Sequence, residues 1–122
     1  MLWFNSRKRI DVWDDNVTEP NNDLEAAQRI RNICEAASDI AENVQSGAGG
    51  SAEIERYERA VKTALQFALK ISDDLIRDAA LRQIIALCVK ANNLRRAEVL
   101  LRGIQAVSIR EDVLNENPVL RQ

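Results

Sequence analysis

The 122-residue chain contains no histidine. That absence removes the commonest general base, every Ser/His/Asp or Cys/His arrangement, and the usual zinc and di-iron ligand sets. Cysteine is scarce as well. Cys34 and Cys88 lack C-x-x-C spacing and fall on apolar helical stripes, so they read as small buried hydrophobes rather than a disulfide or redox pair. Long hydrophobic runs are missing too: the longest uncharged apolar stretch within a helical pattern, residues 83–89, is far short of the roughly 20 residues that span a bilayer. At the N-terminus the apolar residues precede the Arg7-Lys8-Arg9 cluster, the reverse of a secretory signal. A cytoplasmic protein is expected. No nucleophile motif, cofactor fingerprint or EF-hand spacing is present, so neither enzyme activity nor a cofactor nor a metal is expected.

What is there has the size of one domain, 13.7 kDa with a net charge of −2. By surface scaling such a chain buries roughly two thirds of its unfolded surface from side chains alone. Residues 1–22 show no helical period and hold Trp3, Phe4 and Trp13 of the few aromatics, so they read as an extended arm ending at Pro20. A single helical domain is expected over 23–117, with 118–122 as a tail. Asn22 or Asp23 caps a first helix of about five turns, whose stripe runs Leu24, Ala27, Ile30, Cys34, Ala37, Ile40, Ala41, Val44. The glycine-rich segment 46–51 is a flexible loop, since no strand precedes it and no Lys follows to make a phosphate cradle. A second helix from near Ser51 turns Ile54, Tyr57, Val61, Ala64, Leu65, Ala68 and Ile71 inward. Residues 72–74 cap a third, and Asn92-Asn93 makes the turn into a fourth, because Asn tolerates the left-handed conformation that closes a helix. Ser108 and Glu111 form a capping-box pattern for a short fifth helix that Asn117-Pro118 ends. The fold class is all-α: about five helices in antiparallel hairpins.

Shifting the chain by 33 residues lays Ala64 on Ala97, Ile71 on Ile104, Ile76 on Ile109, Arg77 on Arg110 and Leu81 on Leu114. A period of 33–34 residues with two helices each marks stacked helical hairpins. The segment 80–104, with Leu81, Ile84 and Cys88 in one helix, Asn92-Asn93 in the turn, and Leu94, Ala97, Leu101 and Ile104 in the next, resembles the tetratricopeptide repeat family. Ile85, Cys88 and Ile104 depart from that family's small and aromatic positions. The resemblance implies right-handed stacking and an inner groove lined by Ala79, Arg82, Ala86, Val89 and Lys90, suited to a peptide with carboxylates.

Charge is segregated along the chain. Residues 77–110 carry seven basic and two acidic side chains, whereas 1–76 carry nine basic and fourteen acidic. A cationic patch including Arg82, Lys90, Arg95 and Arg96 is therefore expected, either as a solvated face or as a docking site for an acidic or amphipathic protein segment. The segment has no base-stacking aromatics, which disfavours nucleic acid. Trp3, Phe4 and Trp13 must pack on the helical body, on a partner, or on a second copy as an exchanged arm. Residues 1–10 also have the makings of a membrane-surface foot, aromatics beside a basic cluster. The function expected is a small non-enzymatic adaptor or chaperone holding a segment of a partner protein. The alternatives are a self-assembling structural subunit and a peripheral membrane protein.

Overall fold

The computed structural model describes residues 11–14 and 19–121. Trp3 and Phe4, and the membrane foot at 1–10, lie outside the described residues. The described chain is all-helical: α1 (Asp23–Ala36), α2 (Ser38–Ser46), α3 (Gly50–Ala68), α4 (Asp74–Lys90), α5 (Leu94–Arg102) and α6 (Val107–Glu116), with 3-10 turns at Val12–Asp14 and Pro118–Leu120.

Local chemistry explains most of the boundaries. Asn22 Oδ1 accepts the Glu25 N–H at 2.8 Å and the Glu25 carboxylate takes the Asn21 N–H, a reciprocal cap that starts α1. Asp73 Oδ1 accepts the Ile76 N–H at 2.9 Å and starts α4. Asn92, at φ 61°, is the left-handed residue that closes α4. Gly47 and Gly49, at φ 83° and 82°, bracket the short α2–α3 loop, where a side chain would be strained.

Several expectations need correction. The five-turn first helix is two helices, broken at Ala37, whose N–H is shared between the Ile33 and Glu35 carbonyls. No Pro or Gly marks the break; Ala37 is fully buried, and the bend keeps Ile40 and Ala41 in the core as α2 crosses α3 and α4. Leu24 and Ile54, expected inward, are 70% and 47% exposed. The Ser108 capping box does not form. Helix α6 begins two residues earlier, with Ala106 in the cap position and no side-chain cap of its own. Its entry is held instead by Asp78 of α4, whose Oδ2 accepts the Gln105 and Ala106 N–H groups at 3.1 and 2.9 Å. The expected tail forms the second 3-10 turn and buries Leu120.

Hydrogen bonds across the helices fix their directions. Asp23, at the start of α1, accepts from the backbone N–H groups of Ser72 and Asp73 at the start of α4. Lys90, at the end of α4, reaches Ser38 and Glu42 just past the end of α1. Helices α1 and α4 therefore run parallel, with α3 returning between them. Asp78 and Arg82 meet residues 105–106 and then Asp112 and Glu116 in the same order, so α6 is parallel to α4. Helix α4 is the centre of the molecule, in contact with all five other helices, and Ile84, Ile85 and Cys88 on it are fully buried. Each of the two isoleucines contributes roughly 1.5–3 kcal/mol of burial.

Residues 33 apart occupy matching environments. Ala64 and Ala97 are both fully buried, and the Arg77 and Arg110 guanidinium groups donate to the carbonyls of Ile71 and Ile104. The two linkers also match, since Ser72-Asp73 and Gln105-Ala106 each give two N–H groups to one aspartate.

Candidate functional site

The parallel pair α1 and α4 leaves a groove of about 540 Å³ along its outer seam, lined by Arg31, Cys34, Glu35 and Ser38 on one side and Gln83, Ala86, Leu87 and Lys90 on the other. The seam exists because small residues face outward where the two helices touch. Ala86 is exposed, and Ala79 lies exposed two turns before it on the same face. Leu87, largely buried, closes the floor.

The anticipated site residues divide between faces. Ala86 and Lys90 line the seam, with Ala79 along its extension. Arg82 points the other way, to α6, donating from Nε to Glu116 at 3.0 Å and from Nη1 to Asp112 at 3.4 Å. Val89 packs against the core. Arg95 is exposed on α5, and Arg96, also on α5, pairs with Glu58 of α3 at 2.9 Å. Arg96 edges a second hollow of about 470 Å³ between α3 and α5, where Leu65 and Leu69 supply apolar surface. Trp13 belongs to neither. It is 6% exposed, in the 3-10 turn that packs on α1 and α3, and the turn is pinned by Asp11 on Arg56 (2.7 and 3.0 Å) and Asp14 on Arg59 (3.0 Å). The expected cationic patch is therefore largely neutralised within the chain: Arg82 by Asp112 and Glu116, Lys90 by Glu42, Arg96 by Glu58 and Arg77 by Asp74.

Arg31, Glu35, Ser38 and Gln83 were not anticipated at the site. Arg31, Glu35 and Ser38 follow each other at helical spacing on the flank of the apolar stripe, but only the side-by-side placement of α1 and α4 turns that flank into a groove wall. Neither Arg31 nor Glu35 forms an ion pair among the described residues.

Burial, with smaller contributions from Cys88 and Glu35, pushes the Cys34 thiol up to about 12, so it stays protonated and poorly nucleophilic at neutral pH. Cys88 is likewise raised by burial. The Arg82 guanidinium, by its hydrogen bond, holds the Glu116 carboxyl below the usual carboxylate range. No group of three or more metal-ligating side chains gathers among the described residues. A third hollow of about 750 Å³, walled by the segment entering α1 and by Lys70 and Ser72, has its charged groups already engaged, Lys70 with Glu19 and Asp23 with the α4 N-terminus. No helix among the described residues is long and apolar enough to cross a membrane. Comparison with protein-family models, with curated proteins and with solved structures finds no match for the chain.

Proposed function

We propose that this chain is a non-enzymatic interaction module that holds an amphipathic segment of another protein chain in the α1–α4 seam, on a scaffold stacked in the tetratricopeptide manner. The observation that carries the reading is the seam itself: a groove of about 540 Å³, floored by Ala86 and Leu87 and edged by residues of both charges. Grooves of this kind, apolar in the floor and polar at the rim, suit a helix laid lengthwise. Support for the scaffold comes from α1, α4 and α6 lying side by side in parallel, with α3 and α5 as the returning helices, and from the matched environments 33 residues apart. The segment is amphipathic rather than simply acidic, because Lys90 and Arg82 already have carboxylate partners.

Selection of displayed helical peptides tests this. Sequences enriched on the wild type are expected to lose binding to Ala86→Arg, which fills the groove from an exposed position. If no enriched peptide depends on Ala86, the seam is not the binding site.

A further inference from the structure

The unpaired charges of the seam say more about its occupant than its shape does. Arg31 and Glu35 are both exposed, stand one turn apart on α1, and form no ion pair with each other or with any other described residue. The seam's remaining charge is balanced inside the chain, Lys90 by Glu42, and the Ser38 hydroxyl is taken by Lys90. What the seam offers is thus a single unsatisfied dipole, positive at Arg31 and negative at Glu35, over a floor of Ala86 and Leu87.

A surface that carries one plus and one minus in line is complementary to its own copy turned through 180°. We propose that the occupant of the seam is the seam of a second copy of this chain, packed antiparallel about a two-fold axis that passes beside Cys34 and Ala86. In that arrangement Arg31 of one copy faces Glu35 of the other, twice, as an isologous contact requires. Cys34, Ala86 and Ser38 let the helices approach closely, within the 8–10 Å usual for packed helices. The exposed Leu24 and Leu75, at 70% and 63%, lie near the starts of α1 and α4, at the end of the seam, and give apolar surface for the second copy to cover. An acidic or a basic foreign segment would satisfy only half of the dipole. This rests on the seam being a docking surface, as proposed above, and names its occupant.

Sedimentation of the full chain from micromolar to near-millimolar concentration tests the arrangement. The wild type is expected to pass from monomer to dimer. Arg31→Glu and Glu35→Arg each place like charges opposite one another twice, and each is expected to weaken dimerisation at least about tenfold. The double variant Arg31→Glu/Glu35→Arg restores both pairs with their signs exchanged and is expected to recover the wild-type dimer. Ala86→Arg blocks the seam sterically and no charge exchange should rescue it. These positions are exposed, and circular dichroism should show unchanged helix in every variant. A wild type that stays monomeric throughout overturns the second copy as occupant while leaving the peptide-groove reading to its own selection experiment. A dimer indifferent to the single reversals, or not recovered by the double, overturns the antiparallel arrangement.

Discussion

Replacing Asp78 by alanine is expected to loosen the α5–α6 connection more than any other single polar change in the described chain. Its side chain is fully buried, and Oδ2 alone accepts the Gln105 and Ala106 N–H groups that start α6. Each such hydrogen bond is worth between about 0.5 and 3 kcal/mol net, so two of them set an upper figure near 6 kcal/mol. Two effects reduce it. Gln105 is exposed and its freed N–H regains water, and Oδ1 is a buried oxygen without a partner whose removal relieves a desolvation cost. The expected loss is about 2–4 kcal/mol. Asp78→Asn keeps an acceptor for both N–H groups and should lose less than half as much. Asp23 is an internal control, because it performs the same task for Ser72 and Asp73 where water is at hand, and Asp23→Ala should cost visibly less than Asp78→Ala. The N–H groups of Asp73 and then Ser72 lower the Asp23 pKa, so its contribution is fully present above the ordinary carboxylate range and fades as pH falls below it; Asp23→Asn should flatten that acid limb. Urea titration followed by circular dichroism gives the stabilities, and hydrogen exchange at the amides of 105 and 106 gives the local opening. If Asp78→Ala changes stability by less than about 0.5 kcal/mol, the usual range for a surface substitution, the buried carboxylate does not hold α6 and the argument fails.

Three further outcomes follow from burial. Ala97 is fully buried on α5 against α4, and Ala97→Leu should overpack that contact and cost about 1–3 kcal/mol; a wild-type melting temperature would refute it. Tyr57, the only tyrosine, is held above its ordinary value of 10.0 chiefly by burial, so the folded protein keeps its proton longer than the unfolded one and stability is lost as pH rises past that value. Tyrosinate absorbance should therefore appear together with unfolding, and a reversible titration at the ordinary value with helix intact would refute the burial. In a Trp3→Phe variant the only tryptophan left is Trp13, whose emission should be blue at every protein concentration and turn red in the same transition that melts the helices; red emission from folded protein would place the indole in water.

The helices were legible because their signals are local. Asn22, Asp73 and Asn92 act on backbone groups within a few residues, and a 3.6-residue stripe needs no knowledge of what lies opposite. The features that escaped the sequence depend on distant partners. The break at Ala37 has no Pro or Gly to announce it; it answers to the surface that α2 must cover on α3 and α4. The capping box at Ser108 was locally sound, yet Asp78, 28 positions before Ala106, reaches the linker first and the helix starts two residues early. Leu24 sits on the predicted apolar stripe but in the first turn, beyond the reach of the neighbouring helices.

Charge shows why the candidate site was only half readable. The excess of basic residues between 77 and 110 is a sum along the chain, whereas the field at a surface depends on which charges meet across helices. Arg82 meets Glu116 and Asp112, Arg96 meets Glu58, and Lys90 meets Glu42, partners between 30 and 48 positions away that no local window contains. Each of these exposed pairs is worth little as stability, since surface ion pairs typically contribute about 0–1 kcal/mol. Their effect is to cancel the patch, because a carboxylate within 4 Å of a guanidinium removes most of the potential a ligand would feel at a Debye length of roughly 10 Å. In the proposed docking reading, recognition then falls to charges left without partners. On the α1–α4 seam those are Arg31 and Glu35, two residues of opposite sign that contribute nothing to any net-charge count and are for that reason invisible to it.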